Sequence, residues 1–162
     1  MTKQRFFTAG FAIMAGCLIN YAGDRILGNR LELVPLNDPL AIFNGLWAIQ
    51  IFIIPVIVGF STAAIFGLGG KWLCYFPPAI IRTLAYFETD NLNAIPEGMT
   101  LMPLGWWVFF VILAVESAAI GGAFGEAMIK KIYGRTTPEE AEKLYGKSGQ
   151  NDSDTSSTNV SN

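Results

Sequence analysis

Two charged residues interrupt otherwise apolar stretches of this chain and are its main candidates for chemistry. Glu116 stands near the centre of the segment 101–128, and Arg82 lies inside the segment 72–87. An isolated carboxylate in apolar surroundings must face protein or water, find a partner or stay protonated, because burying an unpaired charge is costly. Arg82 is the natural candidate partner for Glu116, although its place near a segment end also lets its side chain reach the interface.

These two intramembrane polar residues have two interpretations. In the functional one, they form an ion or proton relay or recognise a charged ligand. In the simpler one, they form a structural ion pair or hydrogen bond that fixes the register of the helices. We favour the structural interpretation, because the sequence has no histidine and no second carboxylate at the centre of an apolar segment.

Other kinds of chemistry lack the residues they need. The chain contains no histidine, which removes Ser-His-Asp and Cys-His arrangements and most zinc and haem sites. Cys17 and Cys74 both lie in apolar stretches and are interpreted as small buried hydrophobes. We therefore predict no catalytic residue, no metal and no cofactor. A net charge of −2 without a polybasic run also argues against nucleic-acid binding.

Composition predicts the elements that must hold these residues. Of the 162 residues, 52% are hydrophobic and 15% are charged, against about 25% charged in an ordinary soluble domain. The mean hydropathy is +0.41. No charge occurs in 39–70 or in 98–115. This pattern predicts an all-α, polytopic helical integral membrane protein.

Four apolar segments are candidate transmembrane helices. They cover residues 6–23, 41–68, 72–87 and 101–128. Met14 to Cys17 looks like a lipoprotein cleavage box, but the apolar stretch continues beyond it, which favours a retained helix. Pro55 is expected to kink the second segment.

The third segment is ambiguous. Pro77 and Pro78 are expected to break its first half, because neither can donate a helical hydrogen bond. It is therefore either a short, broken spanning helix or a re-entrant or interfacial segment.

Charge distribution favours four crossings of a cell (inner) membrane, with both termini in the cytoplasm. Under this topology, most of the basic residues near segment ends share the cytoplasmic side. They are Lys3, Arg5, Lys71, Lys130, Lys131 and Arg135. With three crossings, the cluster at 130–135 would have to be translocated.

Small residues recur at four-residue spacing in the second and fourth segments, where they share one helix face. They are Gly59, Ala63, Gly67, Ser117, Gly121 and Gly125. Small side chains let two membrane helices approach closely. The stripes predict either a subunit interface or packing of the second helix on the fourth within one chain, and the sequence does not separate these alternatives.

These observations predict a helical membrane domain over residues 1–134 and a polar, mostly disordered cytoplasmic tail over 135–162. The expected function is that of a non-catalytic accessory or structural subunit. Its expected partners are the lipid bilayer and other membrane subunits or further copies of itself. The alternative is an oligomeric transporter or channel component that uses Glu116 and Arg82.

Overall fold

The computed structural model describes residues 3–28, 30–91 and 95–133. The elements in chain order are α1 (Lys3–Leu27), β1 (Leu33–Pro35), a 3-10 turn (Pro39–Ile42), α2 (Gly45–Ala48), a π-helical turn (Ile49–Ile53), α3 (Ile54–Phe66), a 3-10 turn (Gly70–Tyr75), α4 (Phe76–Asn91), β2 (Met99–Leu101) and α5 (Leu104–Tyr133). The predicted all-α class is confirmed. Within the described ranges, the structure also contains two short strands that the sequence did not predict.

Three of the described helices are long and apolar enough to cross a membrane. They are Lys3–Leu27, Gly45–Phe66 and Leu104–Lys131. The chain divides into two units, Met1–Ile129 and Lys130–Asn162, and every contact discussed below lies within the first. Of the second unit, the structure describes residues 130–133, which continue α5. The predicted tail over 135–162 lies outside the described residues.

The first helix is longer at its C-terminal end than its apolar residues indicate. It continues through residues 14–17 and ends only at Leu27. Gly28 follows with a φ of +62°, a conformation that glycine adopts without steric cost. Its N–H donates to the Asp24 carbonyl at 3.1 Å. Asp24, which lies just beyond the apolar segment 6–23, is therefore part of the last turns of α1.

Residues Gly45–Phe66 form one continuous helix, called the α2–α3 helix below, which contains Pro55. It begins at a capped end and includes a π-helical turn. The Asn44 side chain accepts a hydrogen bond from Trp47 N at 2.9 Å, which satisfies one of the unpaired first-turn donors. Immediately before Pro55, the Ile54 N–H donates to Ile49 O, five residues back. This wider turn shifts the hydrogen-bond register by one residue immediately before the proline, which has no N–H to donate.

The two prolines of the third segment begin a helix rather than break one. Pro77 and Pro78 follow Phe76 at the start of α4, where backbone N–H groups have no helical acceptor in any case. The residues before them, Gly70–Tyr75, form a 3-10 turn. Similarly, Pro103 directly precedes α5 rather than lying inside it, and its carbonyl accepts from Trp107 N at 3.1 Å.

A short antiparallel sheet, which the sequence did not predict, joins two connections of the chain. Leu33 pairs with Leu101, and Val34 with Thr100. β1 precedes the α2–α3 helix and β2 precedes α5, so both helices start at the same end. An apolar cluster lies beside the sheet at that end, formed by Leu31, Ile42, Ile51, Met102, Trp107 and Phe110.

Consequently, α4 returns the chain to the end at which the sheet lies. Pro77, at the start of α4, contacts Gly16 in the middle of α1. Near the other end of α4, the Tyr86 hydroxyl donates to Met102 O at 3.1 Å. The Tyr86 ring also stacks on Trp107 with centroids 5.2 Å apart. The α2–α3 helix and α5 are therefore parallel, with α4 running in the opposite direction.

Candidate functional site

Arg82 is the centre of a buried polar cluster that links three helical elements. Its side chain on α4 is 1% exposed. Its Nη2 lies 2.8 Å from Asp24 Oδ1 on α1, and it also donates to Gln50 O in the π-helical turn at 3.2 Å. The Gln50 side chain completes the cluster, because its Nε2 donates to the same Asp24 oxygen at 2.8 Å.

The π-helical turn explains why the Gln50 carbonyl is available to Arg82. In a regular α-helix this carbonyl would accept from the Ile54 N–H. Here the Ile54 N–H donates to Ile49 O instead. The next residue, Pro55, has no N–H. The carbonyl therefore accepts from the guanidinium, so that one proline in the sequence creates an acceptor for the arginine of another helix.

The expected pairing of Arg82 with Glu116 is wrong. Asp24 is the partner, because α1 extends far enough to present its carboxylate to α4. Glu116 is exposed in the middle of α5 and makes no ion pair within the described residues. Under the predicted topology, Asp24 and Arg82 both lie near the non-cytoplasmic ends of their segments. This shared depth is the signal that could have identified Asp24 as the partner of Arg82.

The exposed surroundings of Glu116 are apolar. Large side chains on the same helix lie open on either side of it, namely Trp106, Phe109, Ile112, Ile120 and Phe124. Glu116 is close to the midpoint of α5. An acidic side chain thus stands alone in a broad apolar surface.

The small-residue stripes bring α3 and α5 into direct backbone contact within one chain. A Cβ on Gly59 would collide with the Ala118 carbonyl, and one on Gly121 with the Val56 carbonyl. A Cβ on Gly125 would lie 2.7 Å from Phe60 O and 3.0 Å from Ala63 Cβ. Glycine is required here because only its bare backbone fits this approach.

Two residues of the stripes have other roles. Ser117 is buried, and its hydroxyl donates to Leu113 O of its own helix at 2.7 Å. Gly67 lies outside the contact, since a Cβ there would meet nothing within 4 Å. With a φ of +84°, it ends α3.

Sequence reasoning also missed Asn20, which is fully buried on the face of α1 that carries Gly16 and Asp24. Neither polar atom of its side chain has a hydrogen-bond partner in the described part of the chain. Its position one turn before Asp24 extends the polar cluster further into the helix interface. A lone Asn in an apolar segment is the signal that would have drawn attention to it.

The geometry of this cluster indicates a structural role. Within residues 3–28, 30–91 and 95–133, no three His, Cys, Asp or Glu side chains are grouped so that they could hold a metal ion. Asp24, Gln50 and Arg82 instead bond to one another and fix the register of three elements. Comparison of the chain with protein-family models, with curated proteins and with solved structures finds no match.

Proposed function

We propose that this chain is a small, non-catalytic integral membrane protein that serves as an accessory or structural subunit of a membrane complex. The observation that carries the proposal is the exposed carboxylate of Glu116 in the middle of α5.

Membrane residence is supported by the amount of large apolar surface that the fold leaves open. The side chains of Phe7 and Ile26 on α1 are 80% and 84% exposed, and those of Leu18 and Ile53 are also open. A soluble monomer rarely exposes contiguous apolar patches of more than a few hundred Å². In a membrane, exposure of these apolar side chains carries no such free-energy penalty, since the lipid tails around them are as apolar as leucine.

Four crossings account best for the sheet. Because β1 and β2 pair, the connections before the α2–α3 helix and before α5 lie on the same side of the membrane. The chain from Gly70 to Asn91 must then cross back. Placed end to end, its six-residue 3-10 turn and 16-residue α4 would extend about 36 Å. A hydrocarbon core is about 30 Å thick, so α4 and its preceding turn suffice.

Thiol labelling tests this topology directly. With Asp38→Cys and Glu97→Cys as single additions, we expect a membrane-impermeant maleimide to label both from the same side of sealed vesicles. Lys71→Cys should react only from the opposite side. The native thiols are suitable background, since Cys74 is buried and Cys17 is half-buried. Labelling of Asp38→Cys and Glu97→Cys from opposite sides would instead establish three crossings.

At the midpoint of α5, Glu116 lies at the level where exposure of a carboxylate to lipid is least favourable. The described residues provide no intrachain partner, so we infer that another helix covers it. Small side chains follow Glu116 toward the C-terminal end of the same helix. Ala123 and Ala127 are exposed and Ala119 is half-buried. They leave room for close approach of a partner helix.

The partner that fits is a transmembrane helix carrying a lysine or arginine at mid-depth. A second copy docking through the same face would bring two Glu116 carboxylates together, which is unfavourable. Nor does the described part of a second copy offer a cation at this level, because Arg82 is buried against Asp24. The alternative, a transporter or channel that uses both Glu116 and Arg82, would need Arg82 to leave Asp24 and Gln50.

Charge reversal at Glu116 is the sharpest test of the partner contact. We expect Glu116→Lys to abolish co-purification of the partner and Glu116→Gln to weaken it, because the basic partner loses its counter-charge. The thermal stability of the isolated chain should not change, since the fold does not use Glu116. Glu97→Lys, in an exposed connection, is the matched control. Intact assembly of Glu116→Lys would refute the proposed contact, and loss of its monomer stability would assign Glu116 a structural role.

A further inference from the structure

The end of α1 and the side of α4 enclose a half-open cavity of about 450 Å³. This volume is within the ordinary range of small-molecule sites. The cavity lies directly over the Arg82 cluster, since Asp24 and Gln50 contribute to its lining. One side is apolar, formed by Ile81 and Leu84 of α4.

The interior of this cavity is acidic. Glu32 lines it and is 5% exposed, and the Asp24 side chain is 17% exposed. Burial raises the pKa of the Glu32 carboxyl above its usual value. A backbone hydrogen bond and the charges of Arg82 and Arg30 oppose this increase in pKa, and the Asp24 charge adds to it. The backbone of Glu32 is held in place beside the sheet, because its carbonyl accepts from Met102 N at 2.8 Å.

The exposed lining of the cavity contains two arginines, Arg25 and Arg30, and one carboxylate, Glu88. Arg25 is already positioned, because its Nε donates to the Tyr21 hydroxyl at 3.0 Å. Its guanidinium carbon also lies 5.1 Å from the centroid of the Tyr21 ring. The terminal nitrogens of this held guanidinium can bind an anion, for which arginine is the preferred residue.

We propose that this cavity binds a zwitterion that carries a primary ammonium group and a phosphate ester, with the ammonium at Glu32 and the phosphate at Arg25 and Arg30. A simple anion would meet the carboxylates of Asp24, Glu32 and Glu88, whereas a simple cation would meet the two arginines. A zwitterion of this kind satisfies both. The chemistry has two sources, the headgroup of phosphatidylethanolamine and free phosphoethanolamine. This site shares no residue with the Glu116 surface and stands apart from that proposal.

The test measures binding to the delipidated full-length chain in detergent. Phosphatidylethanolamine, phosphatidylcholine, phosphatidylglycerol and free phosphoethanolamine are titrated separately, with thermal stabilisation and native mass spectrometry as readouts. We expect phosphatidylethanolamine to stabilise the chain more than the other two lipids do, because choline has no N–H to donate and phosphoglycerol has no cation. Comparable binding of free phosphoethanolamine would identify a soluble ligand instead of a lipid.

Variants connect the binding to the named groups. Glu32→Gln and Arg30→Gln should each raise the apparent Kd for the preferred ligand roughly tenfold, as expected for a lost charge-assisted hydrogen bond. Glu97→Gln and Arg5→Gln, which lie outside the cavity, should not. Arg30 is exposed, so its variant can be tested even if Glu32→Gln impairs folding. Absence of binding, equal binding of all three lipids, or unchanged affinity in Arg30→Gln would overturn the proposal.

Discussion

Replacing Arg82 by Gln should destabilise this protein by about 3–5 kcal/mol, the usual consequence of breaking one side of a buried ion pair. Loss of the guanidinium leaves the partly buried Asp24 carboxylate without its counter-ion and the Gln50 carbonyl without its donor. Thermal unfolding of the purified chain in detergent measures the effect. The matched control is Arg25→Gln, since Arg25 is exposed and should contribute less than about 1 kcal/mol.

A double replacement separates the ion pair from general damage to the interface. Arg82→Met combined with Asp24→Leu removes both charges together, and we expect it to be more stable than Arg82→Gln alone. Glu116→Gln should leave the unfolding temperature unchanged. An effect of Arg82→Gln no larger than that of Arg25→Gln, or strong coupling of Arg82 to Glu116 in a double-mutant cycle, would contradict the assignment of Asp24 as the partner.

Adding a single methyl group at Gly121 should produce the second large effect. The Cβ of Gly121→Ala would collide with the Val56 carbonyl, and neither backbone can move without separating α3 from α5. We expect a loss of at least the 1–3 kcal/mol that is typical of overpacking, or failure to fold. The unfolding temperature and the yield of monodisperse protein both report it.

The same helix provides the control. A Cβ at Gly105 would meet nothing within 4 Å. Gly105→Ala should therefore be neutral or stabilising by roughly 0.5–1 kcal/mol, because alanine lowers the backbone entropy of the unfolded chain. Gly59→Ala tests the contact from the α3 side, against the Ala118 carbonyl. If Gly121→Ala and Gly105→Ala behave alike, the close approach of α3 and α5 is not a feature of the folded protein.

The features that could be predicted from the sequence are those encoded by local periodicity. Apolar segments predicted the helices, and the four-residue spacing of Gly59, Ser117, Gly121 and Gly125 placed small residues on common faces. That spacing could not decide between an intrachain contact and a subunit interface, since both need the same small side chains. Contacts such as that of Gly121 with Val56 place these residues between helices of one chain.

The features that could not be predicted depend on helix ends and on distant pairing. Asp24 looked like a loop residue because apolar patterning ends near it, whereas the backbone remains helical to Leu27. The adjacent prolines Pro77 and Pro78 suggested a broken helix. The 3-10 turn before them, which places them at the start of α4, could not be recognised from composition. The sheet that joins residues 33–35 to 99–101 gives no alternating pattern long enough to detect.

The most direct test of the central proposal is the mass and composition of the tagged protein purified from its native membranes in mild detergent. We predict a stoichiometric complex with a different membrane protein that has a lysine or arginine within a transmembrane helix. We also predict that Glu116→Lys releases this partner. Recovery of a pure monomer or homo-oligomer, with the same mass in wild type and in Glu116→Lys, would contradict the proposed role as a subunit.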